Sequence, residues 1–146
     1  MARIVLTEWG ATQLLKQSVG LEAPEALWLR LYMNPHQPMP NDDVQNYTEC
    51  GGHDYEPKLI SPGDWRVVRL EQNLVGIISP ALVWTFGDGV APMRVYGSYA
   101  VGGKRRKLYW GDPLEGGHVL VERRGQQLEI QPCLVRALAP TQQIGG

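Results

Sequence analysis

Glycine and proline interrupt this chain at short intervals, and this spacing is the strongest constraint on its fold. The 146 residues include 17 glycines and 11 prolines, spread along the whole chain and not gathered in one linker. Because both residues mark turns and end helices, few segments are long enough for a helix. The short runs between them favour strands. This pattern predicts an all-β domain, either a jelly roll or a two-sheet β-sandwich.

One short helix is expected near the N-terminus. The segment from Ala11 to Val19 is its only plausible location, and Gly20 follows as a C-terminal stop. Leu14, Leu15 and Val19 are expected to share one face of this helix. The length of 146 residues predicts a single domain. We divide the chain into an N-terminal arm with the helix at 1–22, a β-sandwich at 23–140 and a flexible tail at 141–146.

Alternation of side chains identifies the clearest strand, from Leu27 to Met33. One side of this strand carries Leu27, Leu29, Leu31 and Met33, and the other side carries Trp28, Arg30 and Tyr32. The next segment, NPHQPMPNDD, contains prolines that lack the N–H group needed inside a central strand. We therefore expect a long exposed loop there.

Further short strands are predicted along the rest of the chain. Lys58 to Ile60 and Trp65 to Leu70 are separated by a turn at Ser61 to Asp64. Ala81 to Phe86 and Met93 to Val101 are expected to form a hairpin across the intervening Gly-Asp-Gly. Later strands are predicted at Lys107 to Trp110, His118 to Glu122 and Gln127 to Leu138.

The charge balance argues against nucleic acid and membrane partners. Fourteen basic and fifteen acidic side chains give a net charge of −1, which removes the broad attraction to a phosphate backbone. The basic cluster from Lys104 to Lys107 is interpreted as a solvated turn, because no further basic stripe accompanies it. The longest apolar stretches, such as Leu74 to Val83, are far shorter than the ~20 residues that cross a bilayer. The N-terminal sequence has no signal-peptide core, so a cytosolic chain is expected.

The histidines do not form a recognisable metal-binding motif. His36, His53 and His118 lack the His-x-His or His-x-x-x-His spacing of a cupin-type site. A composite zinc site from His36, His53, Cys50 and Asp54 is the alternative to plain surface-loop residues, and its spacing matches no zinc finger or ribbon. We therefore expect no metal and no other cofactor.

No catalytic constellation is present in the sequence. There is no Gly-x-Ser-x-Gly motif, and the two glycines between Cys50 and His53 would not hold a base in place. Asp42 and Asp43 are expected to be solvated charges in the proline-rich loop and not an acid/base pair. Cys50 and Cys133 are interpreted as buried small apolar groups. The chain is therefore expected to have no catalytic residue and not to be an enzyme.

Aromatic side chains indicate a contact surface. Five Trp, six Tyr and one Phe are present, and several fall opposite core-facing strand positions, where Trp and Tyr are enriched at protein contacts. The alternative is that the helix and the loop at 34–56 cover both sheet faces within the chain. The arm from Met1 to Trp9 is interpreted as free to add a strand to a neighbouring sheet. The candidate partner-binding residues are Ile4, Leu6, Trp9, Trp28, Tyr32, Tyr96 and Trp110.

The string LWLRLYMNPHQPMPNDD resembles a Leu-rich strand and Pro/Thr/Asp loop of small virion proteins from tailed phages. The resemblance continues in order through Ser61 to Trp65, Leu82 to Phe86, Val95 to Tyr99, Leu108 to Trp110 and Leu128 to Leu134. It spans Leu27 to Leu138 and departs from the family pattern at Gly111-Asp112 and in the basic turn.

The resemblance implies a jelly-roll protein of the virion, assembled in the host cytoplasm, that decorates or cements the capsid. The implied partners are the major capsid protein and copies of the chain itself in a homo-oligomer. The alternative is a tail or baseplate component with a glycan-binding or partner-binding sandwich, for which Trp28, Tyr32 and Trp110 are candidates. An enzyme, such as a cupin-like metal protein, is a third hypothesis that no residue pattern supports.

Overall fold

The computed structural model describes residues 4–137. Within this range the chain forms twelve strands and one α-helix. In chain order the elements are β1 (Val5–Leu6), α1 (Glu8–Ser18), β2 (Leu27–Tyr32), β3 (Lys58–Ile60), β4 (Arg66–Glu71), β5 (Leu74–Ile78), β6 (Leu82–Thr85), β7 (Met93–Val95), β8 (Gly97–Gly102), β9 (Leu108–Pro113), β10 (Val119–Val121), β11 (Gln127–Ile130) and β12 (Cys133–Ala137). The predicted all-β, sandwich-like fold with one short helix is confirmed.

Five strands form the main sheet, in the order β1-β9-β8-β2-β3. All of its pairs are antiparallel, and the longest continuous pairing runs from Leu27 opposite Gly102 to Tyr32 opposite Gly97. The N-terminal strand β1 pairs with β9 of the same chain. It covers backbone groups of β9 that would otherwise be left unpaired. The expectation of a free N-terminal arm is therefore wrong.

The inner face of the main sheet carries the core. Leu27, Leu29 and Leu31 are 4%, 0% and 0% exposed, as their alternation predicts. Trp110 on β9 is also completely buried, and its ring meets Trp65 edge to face with 6.1 Å between the centroids. These side chains form one cluster with Trp84, Phe86, Met93, Val95, Val121 and Ile130. The core therefore joins the main sheet to the segments that carry β6, β7, β10 and β11.

Much of the outer face of the main sheet is covered within the same chain. The helix α1 packs on β9, where the Trp9 and Tyr109 rings meet edge to face at 5.1 Å. Gly10 lies against the backbone of Tyr109, and a Cβ atom at this position would overlap that backbone. Residues 34–56 are here called the covering loop, and Tyr47 of this loop lies farther along the outer face, where it stacks on Tyr99 at 4.7 Å.

The helix begins earlier than the sequence predicts. Thr7 is its N-cap, and the Thr7 hydroxyl accepts the N–H of Gly10 at 2.9 Å. The predicted start at Ala11 misses this first turn, because glycine is a weak helix former that is kept here by packing. Leu14 packs on the core whereas Leu15 is 67% exposed, so these side chains do not share one face as expected.

The predicted hairpin between β6 and β7 is wrong. The strand β6 pairs with β11, and β7 pairs with β10. Beyond β6 the chain continues beside the segment before β11, because the Phe86 N–H donates to Gln126 O, and the Gly87 N–H then donates to His53 O, each at 2.8 Å. The predicted strand from Met93 to Val101 is divided between β7 in a small sheet and β8 in the main sheet. Alternation shows which side chains share a face, but it does not identify the partner strand.

A separate three-stranded sheet has the order β12-β5-β4. The strand β4 and its preceding turn agree with the prediction, whereas β5 was not predicted. The predicted strand from Gln127 to Leu138 is divided into β11 and β12, with Pro132 between them. Leu138 and the predicted tail at 141–146 lie outside the described residues, and Met33 lies beyond the end of β2.

Truncation of Leu29 tests the assignment of the inner face. We expect Leu29→Ala to lower the free energy of unfolding by about 2–5 kcal/mol, because Leu29 is completely buried and the shorter side chain leaves a cavity. Urea unfolding followed by tryptophan fluorescence measures this change. The control Lys104→Ala, at an exposed position, is expected to stay within about 0.5 kcal/mol of the wild type. An equal loss in both variants would contradict the assignment.

Candidate functional site

Two of the candidate contact rings lie inside the fold. Tyr32 and Trp110 are both 0% exposed. Tyr32 lies under the covering loop, where its ring meets Tyr47 edge to face at 4.9 Å, and Trp110 lies in the inner core. The expectation that these rings face outward is wrong, because the chain covers both faces of the sheet at these positions.

The other candidate residues remain at least partly accessible. Ile4, Leu6 and Trp9 are partly buried and pack against the core from the N-terminal segment. Trp28 and Tyr96 are half-buried and each line a surface cleft. The cleft at Tyr96 has a volume of about 470 Å³ and is also lined by Met33, His53 and Arg94. Trp28 and Tyr96 are therefore the candidate rings, outside the N-terminal segment, that the structure leaves at the surface.

The covering loop is held in place by a buried carboxylate. One oxygen of Asp42, Oδ2, accepts hydrogen bonds from the Met39 N–H at 2.9 Å and the Tyr47 hydroxyl at 2.9 Å, and it lies 2.7 Å from His36 Nε2. The Asp42 side chain is only 5% exposed. Burial alone would raise the pKa of Asp42, but these hydrogen bonds outweigh it and lower the pKa below its usual value. The expectation of a solvated Asp42 is therefore wrong.

Removing this carboxylate is expected to loosen the covering loop. Asp42→Asn removes the negative charge that binds three donors, so we expect a loss of about 1–3 kcal/mol in the free energy of unfolding. Limited proteolysis should then cut residues 34–46 faster than in the wild type. The matched control is Asp88→Asn, because the Asp88 side chain is 80% exposed. Unchanged cleavage in Asp42→Asn would contradict the role of this contact.

The residues considered for a composite metal site have other roles. His53 is 5% exposed, and its Nε2 and Nδ1 atoms lie 2.7 Å from Ala91 O and 3.3 Å from Gly87 O. Its placement as a surface residue was therefore wrong. Cys50 is buried as expected, and burial, assisted by the charge of Glu49, raises the pKa of its thiol to about 12. Within residues 4–137, no three His, Cys, Asp or Glu side chains are grouped so as to hold a metal ion.

The basic turn is only partly solvated. Lys104, Arg106 and Lys107 are exposed, but Arg105 forms ion pairs at 2.8 Å with Glu22 and with Glu25. The other donors to Glu25 are the backbone N–H groups of residues 104 and 105 and the hydroxyl of Tyr109. The interpretation as a solvated turn is therefore wrong for Arg105, which fastens the turn to the segment before β2.

The carboxyl group of Glu25 has a strongly lowered pKa. Burial alone would raise its pKa, but hydrogen bonds from the Tyr109 hydroxyl and from the backbone and side chain of Arg105 outweigh that effect. The pKa falls from 4.5 to about 2. Because the folded-state pKa is lowered, the ionised group stabilises the fold above pH 4.5, and this contribution is lost as the pH falls toward 2.

A pH titration of stability tests this linkage. We expect Glu25→Gln to remove a contribution of at most about 3 kcal/mol at neutral pH. The difference between the wild type and the variant in free energy of unfolding should shrink as the pH falls from 4.5 toward 2. Urea unfolding at a series of pH values measures it. A difference that stays constant over this range would contradict the shifted ionisation.

A cleft lies where the cover of β2 ends. Trp28 and Arg30 on β2 lie on its wall, together with Val44 of the covering loop and Val101 of β8. The remaining lining comes from the last residue of β8, Gly102, and from Gly103 and Arg106 of the turn that follows. The volume of this cleft is about 440 Å³, within the range of small ligand pockets. One aromatic residue and two arginines therefore line the same concave surface.

The three-stranded sheet β12-β5-β4 carries apolar side chains that the rest of the described chain covers only in part. Apart from Gly76, no residue of this sheet whose side chain is described is buried. Val67 is 71% exposed and Val135 is 42% exposed. Its described apolar side chains are Val67, Val68, Leu70, Leu74, Val75, Ile77, Ile78, Cys133, Leu134 and Val135. We call this sheet the apolar sheet.

Comparison with known proteins identifies no relative. No protein-family model, no curated protein and no solved structure matches the chain. Among residues 4–137, no helix has the length and hydrophobicity needed to span a membrane. The candidate sites therefore depend on the geometry of the chain itself, and these are the cleft at Trp28 and the apolar sheet.

Proposed function

We propose that this chain is a structural protein of a tailed-phage virion that decorates or cements the capsid. Its partners in this proposal are the major capsid protein and other copies of the chain. The protein acts by burying surface at these contacts, without a catalytic step. The ordered resemblance between Leu27 and Leu138 supports this proposal from the sequence.

The apolar sheet is the observation that carries the proposal. Apolar area that stays exposed is costly in water, and exposed apolar side chains on a sheet are typical of a protein contact. Its outer strands β4 and β12 each pair on one side only within the described chain. The free strand edges add hydrogen-bonding capacity to the apolar surface. The apolar sheet is therefore better suited to being covered permanently by a partner than to staying exposed to water.

The rest of the described chain suits a passive scaffold. Apart from Trp28, the rings of the main sheet are packed in two internal clusters, and Asp42 of the covering loop is bound by Met39, Tyr47 and His36 of the same loop. The net charge of −1 keeps repulsion small when many copies lie side by side. These features favour a rigid protein whose surface is used for contacts.

The tail or baseplate alternative has less support. Two of the three rings that motivate glycan binding, Tyr32 and Trp110, are completely buried. Trp28 is the third, and it lies in a cleft with two arginines. A glycan-binding surface needs accessible rings, so this alternative depends on Trp28 alone.

Analysis of particles tests the proposed function. DNA-filled particles produced from the genome that encodes this chain are purified, and mass spectrometry compares the amount of the chain with that of the major capsid protein. We expect a fixed ratio that corresponds to many copies on each shell. Absence from intact particles rejects the proposal, and a copy number of only a few favours the tail or baseplate alternative.

A pair of matched variants connects this function to the apolar sheet. Purified Val67→Lys and Val90→Lys proteins are added to particles that lack the chain. Both valines are highly exposed, at 71% and 108%, so both variants are expected to fold. Val67→Lys is expected to bind particles more weakly, because a charge is placed in the apolar contact. Equal binding of the two variants would show that the apolar sheet is not the contact.

A further inference from the structure

The cleft at Trp28 contains arginine groups that the fold does not fully use. The side chain of Arg30 is 30% exposed, and its Nη1 atom lies 3.8 Å from Oε1 of Glu49, beyond hydrogen-bond distance. Its Nε atom is buried and has no hydrogen-bond partner among the residues that the structure describes. A side-chain hydrogen bond joins Arg30 to Tyr99, so the fold engages part of this guanidinium and leaves its buried Nε–H unpaired, which is unfavourable.

The second cation of the cleft is held in an unusual backbone conformation. Arg106 has φ = 58°, a left-handed conformation that glycine or asparagine adopts more easily. Its neighbour Arg105 is occupied by Glu22 and Glu25, whereas Arg106 is exposed and lines the cleft. The turn therefore uses one arginine to fasten itself and presents the next one at the cleft.

The charges of the cleft add up to a single positive charge. Arg30 and Arg106 each contribute one positive charge, and Glu49 offsets one of them. Glu49 is held near Arg30 because the Tyr55 hydroxyl donates a hydrogen bond to Glu49 Oε2 at 2.7 Å. This balance matches a singly charged carboxylate better than a doubly charged phosphate. Arginine also suits carboxylates because its planar fork donates two parallel hydrogen bonds.

The apolar residues of the cleft determine which kind of group can lie next to a carboxylate bound there. Trp28, Val44 and Val101 form it, and their side chains favour an apolar group next to the carboxylate. The covering loop supplies Val44, while β2 and β8 supply the other two, so these residues are fixed by the sheet and its cover. A ligand that combines an anionic group with an apolar neighbour fits this lining.

We propose that this cleft binds an acidic side chain, flanked by an apolar residue, in an extended segment of a partner protein. Arg30 and Arg106 bind the carboxylate, and Trp28 packs against the apolar neighbour. This inference does not depend on the proposed function, since it follows from the lining of the cleft alone.

The test is a titration of the ¹⁵N-labelled chain with short peptides, followed by NMR. The probes are acetyl-Leu-Glu-Leu-amide, its Leu-Gln-Leu counterpart and inorganic phosphate. We expect the Glu peptide to give saturable shifts at the Trp28 indole N–H and at the amides of Gly102 and Gly103, with a Kd on the order of 1 mM. The Gln peptide and phosphate are expected to bind at least about tenfold more weakly.

Two variants of the same turn show whether the charge in the cleft is responsible. Arg106→Gln is expected to weaken binding of the Glu peptide about tenfold or more. Lys104→Gln removes a charge from the same turn outside the cleft lining and is expected to bind as the wild type does. Arg106→Lys keeps the charge without the planar fork and should restore binding only in part. The dispersion of the remaining amide signals shows that each variant is folded.

Three results would overturn the proposal. The first is the absence of saturable shifts with the Glu peptide at any concentration up to about ten times the expected Kd. The second is equal binding of the Glu and Gln peptides, which would remove the carboxylate from the interaction. The third is tighter binding of phosphate than of the Glu peptide, which would assign the cleft to a different anion.

Discussion

The burial of β2 on both faces is the constraint on which most of this structure depends. Its leucines fill the inner core, while Tyr32 at its end is buried under the covering loop. An uncovered outer face would leave Tyr32 and Tyr99 in water, so a long segment without regular strands has to pack there. A buried loop must satisfy its own polar groups. The hydrogen bonds to Asp42 do this for the covering loop, which explains why a carboxylate is buried in a segment rich in proline.

The cleft at Trp28 and the apolar sheet both lie where the chain covers its strands incompletely. At the other end of β2, the cover stops at Val44, and Trp28 and Arg30 are left half-buried beside the basic turn. The apolar sheet contacts the inner core through Leu134, and its described apolar side chains are only partly covered, with Val67 and Val135 exposed. The first of these regions is charged and concave, and the second is an apolar sheet with free edges. They therefore have different chemistry, although both result from incomplete covering.

The sequence predicted those features that depend on local pattern. The alternation in Leu27 to Tyr32 identified the strand and its inner face, and the Ser61 to Asp64 turn was recognised from its residues. The same alternation could not show that a second layer buries Tyr32. Alternation also does not identify the strand with which another strand pairs. The sequence predicts that β6 pairs with β7, whereas in the structure β6 pairs with β11 and β7 pairs with β10. The missing information concerned contacts between segments far apart in sequence.

The candidate surfaces also combine local features that the sequence predicts with long-range contacts that only the structure shows. The basic cluster was visible in the sequence, but the sequence did not show that Arg105 is bound by Glu22 and Glu25 while Arg106 remains exposed. Only the pairing of β2 with β8 brings Trp28 next to the turn that carries Arg106.

Apolar contact is not directional and grows with buried area at roughly 25 cal/mol per Å². It therefore supplies affinity with little selectivity, whereas a carboxylate bound by two arginines fixes orientation and rejects uncharged groups. An apolar surface alone would bind indiscriminately, so the carboxylate contact that we propose at the cleft of the main sheet would provide the discrimination that the apolar sheet lacks.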